Sequence, residues 1–170
     1  MHPIRLAWIR SILNEYEGPL MRYAARITGD TDRARDVVQE TFLRLCSEDP
    51  TQVDGRVPQW LFTVCRSRAL DVRRKDSRMR ALSEAQMQTR RSPDRDPAKT
   101  TENREASNRV LQVLALLPEN QQEVIRLRFQ SGLSYKDIAS VTDLSVSNVG
   151  YLIHTAIRTI REKLNPSRGL

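Results

Sequence analysis

Between Ser83 and Ser107 the chain loses almost all hydrophobic periodicity. Pro93 and Pro97 interrupt the stretch, and Ser, Thr, Gln, Asn and Arg fill it. Such a segment cannot bury enough apolar area to offset the entropy of ordering it. The 170 residues must therefore fold as two small lobes. The expected boundaries are 1–78 for the first lobe, 79–107 for a flexible linker that is helical at most over its first few residues, and 108–170 for the second.

Both lobes read as helices. Ile4, Trp8, Ile9, Ile12, Leu13 and Tyr16 recur at helical spacing. Gly18-Pro19 is expected to break or kink that helix, after which Leu20, Tyr23, Ala24 and Ile27 resume the stripe. Gly29 suits a C-terminal cap, and Asp30 or Thr31 an N-cap. Val37, Val38, Thr41, Phe42 and Leu45 share one face of the next helix, with Asp36, Gln39, Glu40 and Arg44 on the other. Residues 47–57 read as a loop, and Pro58 suits the first turn of a third helix carrying Trp60, Leu61, Val64, Cys65 and Val72 inward. In the second lobe, Val110, Leu111, Val113, Leu114 and Leu117 form one stripe. Val124, Ile125, Leu127 and Phe129 form another. Strand-type alternation is absent, so the expected fold is all-α: two helical domains joined by a linker.

Composition removes whole classes of function. No run approaches the ~18 apolar residues of a membrane span, so no membrane insertion is expected. The charged N-terminus does not resemble a signal peptide. Cys46 and Cys65 do not make a disulfide framework, and with His2 and His154 they show no metal-ligand spacing. Each cysteine lies on an apolar stripe and is expected as a buried free thiol. There is no phosphate loop and no nucleophile–base pair, so no enzyme, cofactor or metal is expected. A cytoplasmic setting follows. Lys and Arg total 28 against 21 Asp and Glu, a formal net charge of +7, and a basic chain there suggests a polyanionic partner.

Two stretches sharpen that suggestion. Residues 135–154 have the spacing of a helix-turn-helix. Ala139 is the small residue where the helices touch, and Ile138, Leu144, Val149 and either Leu152 or Ile153 surround the contact. Asp143 occupies the turn position that favours left-handed backbone angles. Ser145 can cap a second helix that carries Ser147, Asn148, Tyr151, His154 and Thr155 outward, where Asn can pair with adenine and Ser or Thr with several base edges. Lys136, Arg158, Arg161 and Lys163 could reach phosphates. The face is poor in cations, with Gly150 and Leu152 among its positions. In the first lobe, Arg66, Arg68, Arg73, Arg74 and Lys75 fall within ten residues, offset only by Asp71. They suit a phosphate-tracking helix, although cations at a helix C-terminus also complement its dipole. The neighbouring 47–57 loop has room for an unstacked base.

Taken in order, Asp36-Val-Val-Gln-Glu-Thr-Phe-Leu-Arg-Leu45, Trp60-Leu-Phe-Thr-Val-Cys-Arg-Ser-Arg-Ala-Leu-Asp-Val-Arg-Arg74, Leu116-Leu-Pro-Glu119 and Gly132-Leu-Ser-Tyr-Lys-Asp-Ile-Ala139 resemble an extracytoplasmic-function (ECF) sigma factor of bacterial RNA polymerase. The resemblance spans both lobes. It implies that Asp36, Gln39, Glu40 and Arg44 dock on the clamp helices of core RNA polymerase. Arg66, Ser67, Arg68, Asp71, Arg73 and Arg74, with the 47–57 loop, would engage and help melt the minus-ten promoter element. Lys136, Ser147, Asn148, Tyr151, His154, Thr155 and Arg158 would read the minus-thirty-five element as duplex. The linker would thread toward the polymerase active-site channel, and an anti-sigma factor would regulate the protein from outside. The chain departs from the family pattern at Ser67, where Asn is usual, and at Asn148, Gly150, Leu152 and Thr155, which replace commoner Thr, Lys, Arg and Arg. A stand-alone helix-turn-helix regulator is the alternative, and it would bind duplex without polymerase.

Overall fold

The computed structural model describes residues 3–85 and 102–165, with side chains in the second stretch from Asn108 onward. The described residues are helical and fall into two compact units. The first contains α1 (Pro3–Thr28), α2 (Thr31–Ser47), the single-turn α3 (Pro50–Val53) and α4 (Val57–Glu84). The second contains α5 (Glu102–Ala115), α6 (Glu119–Phe129), α7 (Tyr135–Thr142) and α8 (Val146–Leu164).

In the first unit α1, α2 and α4 pack pairwise. Leu20 of α1, Leu45 of α2, and Leu61 and Phe62 of α4 are fully withdrawn from water. Each contributes ~1.5–3 kcal/mol. Tyr23 meets Phe62 edge to face, with ring centroids 5.3 Å apart. The one buried hydroxyl on α2, Thr41 Oγ1, donates to the Val37 carbonyl at 2.8 Å, which satisfies it without leaving the helix. Asp30 is the N-cap of α2, its carboxylate accepting from the Arg33 amide at 2.8 Å. Gly29 turns the chain there with φ 72°.

Four expectations change in this unit. Gly18-Pro19 does not break α1, which runs continuously with Pro19 inside it. Gly18 has no Cβ to clash with the proline ring, and the buried Leu20, Tyr23 and Ala24 hold the second half on the same stripe. Residues 47–57 are not simply a loop. Asp49 caps α3 by accepting from the Thr51 amide at 2.9 Å, and Val53 is buried. Arg5 ties the segment back to α1, donating to the Cys46 and Glu48 carbonyls at 2.7 and 2.6 Å. A cation is well suited to the unpaired carbonyls at a helix C-terminus. Ile4, placed in the stripe by its spacing, is exposed in the first turn of α1. Trp60, Val64 and Val72 are half-buried, while Phe62 and Ala69 take the interior of α4.

In the second unit α8 packs against α5 and α6. Leu114, Leu117, Val124, Ile125, Leu127, Leu133, Ile138, Val149, Leu152, Ile153 and Ala156 are buried. Val110, Leu111 and Phe129 are exposed instead. Among the described side chains of α5 the buried one is Leu114 in the last turn, with Leu117 just after the helix, and Phe129 is the final residue of α6. Helix also enters both ends of the 79–107 stretch expected as linker. Ser77-Arg-Met-Arg-Ala-Leu-Ser-Glu84 is rich in helix formers and prolongs α4 to Glu84, while α5 already begins at Glu102. Its central part, 86–101, lies outside the described residues, as does 166–170.

The turn between α7 and α8 carries the one left-handed non-glycine among the described residues, Asp143 at φ 60° and ψ 32°. The Asp143 and Leu144 amides both donate to the Ala139 carbonyl, closing α7. A β-branched residue here would meet the full left-handed penalty of about 1–2 kcal/mol, whereas glycine has none. Asp143→Val is therefore expected to lower the stability of the second unit by that amount in a urea titration. Asp143→Gly should leave it unchanged or raise it.

Candidate nucleic-acid interface

On α2 the buried stripe of Ala34, Val37, Val38, Thr41, Phe42 and Leu45 leaves the opposite side to Asp36, Gln39 and Arg44, all exposed, and to half-buried Glu40. The helical turn separates these four. Asp36 and Gln39 lie opposite the core, while Glu40 and Arg44 lie on one flank. Leu43 sits beside Asp36 and Gln39 and is 67% exposed. The sequence reading passed over it because a leucine is ordinarily assigned inward. Its position one residue after the buried Phe42 was the available signal.

The six residues expected on the basic helix are likewise divided by the register of α4. Arg66 and Arg73 are seven apart and share one flank. Ser67 and Arg74 share the outermost line, both exposed. Arg68 and Asp71 turn to the opposite flank with Lys75, toward α2. There Arg68 Nε donates to Glu40 Oε2 at 2.5 Å. Glu40 Oε1 accepts from Arg44 at 3.5 Å. A second bridge, Arg33 to Asp76 at 3.1 Å, joins the same two helices. Asp71 pairs with Arg74 one turn on along α4. Arg33, Asp36, Glu40, Arg68, Asp71, Lys75 and Asp76, with Val37 and Val72, line a cleft of about 280 Å³. The sequence reading missed Arg33 and Asp76. Their spacing, seven residues before Glu40 and eight after Arg68, is the periodicity that would have shown them.

In the second unit the helix-turn-helix is built as its sequence signals require. Ser134 accepts from the Asp137 amide at 3.1 Å, and the Asp137 carboxylate accepts from the Ser134 amide at 3.3 Å, a reciprocal cap for α7. Ser145 caps α8 by accepting from the Asn148 amide at 3.1 Å. The buried side of α8 is Val149, Leu152, Ile153 and Ala156. Ser147, Asn148, Tyr151, His154 and Arg158 are exposed, as is Lys136 on α7. Thr155 departs from expectation: it is half-buried, because it lies on the rim of the α8 stripe between Leu152 and Ala156. His154, Arg158 and Arg161 line a shallow hollow of about 190 Å³ with Ile157 and Glu162. A Cβ at Gly150 would lie 3.6 Å from the Tyr135 ring, an ordinary van der Waals distance, so Tyr135 lies against α8 there without requiring a glycine. The Arg128 guanidinium lies 5.5 Å from the same ring centroid, within cation–π range.

Comparison with known proteins gives this arrangement its family. The Sigma-70 region 2 model matches residues 12–79, which span most of α1 to α4, and the Sigma-70 region 4 model matches residues 107–160. The chain is 33% identical over 159 residues to the ECF RNA polymerase sigma factor SigL of Mycobacterium tuberculosis, covering 91% of this chain and 88% of the relative. The chain belongs to the ECF RNA polymerase sigma factors. A further relative, the ECF RNA polymerase sigma factor SigM of Bacillus subtilis, is 25% identical over 158 residues, covering 92% of this chain and 95% of its own. Among solved structures, the sigma factor RpoE from Bartonella quintana, crystallised with the anti-sigma factor NepR, shares the fold. Its TM-score is 0.65 at 21% identity, over 94% of this chain and 98% of that one. CnrH, solved in complex with the cytosolic domain of CnrY, gives a TM-score of 0.57 at 25% identity, over 94% and 88% of the two chains. No helix among the described residues of this sigma factor is long and apolar enough to cross a membrane.

The two cysteines of this sigma factor differ. Cys46 is half-buried, not fully buried as expected, and Cys65 is buried. Burial pushes the Cys65 thiol up to about 12, against a smaller opposing effect from its hydrogen bond with Thr41. Thiolate is the reactive form, so Cys65 is inert in the folded unit. Folded protein holds this proton where the unfolded chain has lost it. Cys65 therefore leaves stability unchanged below the ordinary thiol value of 9.0 and lowers it as pH rises from there to about 12. Thiol labelling at pH 8 should modify Cys46 first, with Cys65 reacting only at the rate of unfolding. Cys65→Ala should flatten the alkaline loss of stability.

Proposed function

We propose that this ECF sigma factor binds core bacterial RNA polymerase, directs it to specific promoters and helps open the DNA for initiation. It acts in the cytoplasm with the polymerase and has no catalysis or cofactor of its own. The domain assignment is 1–78 for polymerase and minus-ten binding and 108–170 for minus-thirty-five binding, with 79–107 between them.

The observation that carries the reading is the first unit. A single three-helix core presents an exposed α2 face with an apolar centre at Leu43 and, on α4, a basic helix. Docking surfaces that exchange partners combine an apolar anchor with a polar rim. Asp36, Gln39, Glu40 and Arg44 form that rim. Arg66, Ser67, Arg68, Asp71, Arg73 and Arg74, next to the α3 segment, serve the melted strand. In the second unit Lys136, Ser147, Asn148, Tyr151, His154, Thr155 and Arg158 serve the upstream duplex. The dipole of the capped N-terminus of α8 favours phosphate nearby. Regulation by an anti-sigma factor is part of the proposal. It is supported by fold neighbours solved with NepR and with the cytosolic domain of CnrY.

The test is to mix the chain with sigma-free core polymerase and follow co-elution and run-off transcription from a library of promoter fragments. Stable co-elution with start-specific transcripts is expected. Duplex binding without polymerase and no binding to active core would turn the assignment to a stand-alone regulator. The double variant Asp36→Lys and Gln39→Lys should weaken core binding by about tenfold or more while leaving the helical spectrum unchanged. Arg73→Ala with Arg74→Ala should impair promoter opening. The salt dependence of binding melted DNA should fall by about 0.7 in log–log slope for each phosphate that is no longer neutralised. An unchanged slope would leave that helix as a solvated surface only.

A further inference from the structure

The ion pairs between α2 and α4 cut across the two surfaces assigned above. Glu40 belongs to the docking rim and Arg68 to the DNA-contacting helix, yet they hold each other at 2.5 Å. Arg44, also on the docking rim, reaches the other oxygen of the same carboxylate at 3.5 Å. One carboxylate thus serves two guanidinium groups from different helices, one on each oxygen. The side chains of Arg68 and Glu40 are 42% and 34% exposed, so the pair can exchange partners without unfolding.

An arginine whose Nε is engaged by a carboxylate is poorly placed for a phosphate. The hydrogen bond occupies one donor, and the adjacent negative charge repels the incoming anion. Removing that carboxylate from Arg68 improves both terms. Arg33 and Asp76 bridge the same helices two turns away at 3.1 Å. The buried apolar faces of α2 and α4 keep the two helices in register when the Glu40 pair opens, so release needs side-chain rotation and no helix movement.

We propose that Glu40 is a positioning residue: it holds Arg68 against α2 in the free chain and releases it when a partner occupies the α2 face. Docking and DNA binding are then linked through one shared carboxylate, and the linkage is reciprocal. This rests on the function proposed above. The free chain is then expected to bind DNA less tightly than the chain seated on polymerase.

The test uses the full chain without polymerase, a short fluorescein-labelled single-stranded DNA, and anisotropy at low salt. Glu40→Gln is expected to tighten binding about three- to fivefold, the range that a half-exposed ion pair allows. Asp32→Asn removes the same charge from the same helix, from a residue paired with Arg35 and not with Arg68. It should change binding less than about twofold. In an Arg68→Gln background the Glu40→Gln gain should shrink to the Asp32→Asn level. In holoenzyme assembled on core polymerase, Glu40→Gln should give no gain in DNA affinity over wild type. Equal gains from Glu40→Gln and Asp32→Asn would overturn the proposal. So would a gain that survives the Arg68→Gln change, or no measurable strand binding by folded Glu40→Gln. Failure of wild type to transcribe with core would instead remove the docking half together with the function above. The free-chain cycle would still read the restraint on Arg68 by itself.

Discussion

Leu20, Leu45, Leu61 and Phe62 are completely withdrawn from solvent at the centre of the first unit, and the surfaces of α2 and α4 inherit their positions from that burial. A unit of this size has few large side chains to bury. Its helices must therefore commit one whole face each to the interior, which leaves the remaining faces to polar and charged groups. The Glu40–Arg68 and Arg33–Asp76 bridges are too exposed to hold the helices together. They decorate a packing that the apolar residues have already fixed, and this frees them to trade partners.

The second unit solves a different problem. Helix α8 keeps an exposed face while staying attached through one stripe. Val149, Leu152, Ile153 and Ala156 provide the stripe, and two side-chain caps at Ser134 and Ser145 fix where each helix begins. Leu152 illustrates the constraint. Counted in the sequence among the cation-poor outward positions, it is buried, so α8 gains an apolar attachment there and offers no charge.

Much of this was legible in the sequence. The stripe of α2, the cap at Asp30 or Thr31, the cap at Ser145, and the left-handed turn at Asp143 all follow from local chemistry. Local patterns failed where tertiary packing decided. Gly18-Pro19 reads as a break, but the core on both sides holds α1 straight through it. Ile4, Val110, Leu111 and Phe129 keep helical spacing yet find no interior to face. The set of basic residues on α4 was legible as a set, but its division into flanks was not. Whether Arg68 faces outward or toward Glu40 depends on where a second helix lies, and no local spacing on α4 contains that.

The matched spacing of the two bridges limits how the first unit can change in length. Seven residues separate Arg33 from Glu40 and eight separate Arg68 from Asp76, two turns on each helix. One residue inserted between either pair would rotate everything beyond it by about 100°. The two bridges could no longer form together, and the buried stripe beyond the insertion would turn toward water. Single-residue insertions and deletions are therefore excluded from the 33–40 stretch of α2 and the 68–76 stretch of α4 far more strictly than substitutions are. The two helices together behave as a ruler whose marks can be repainted but not moved.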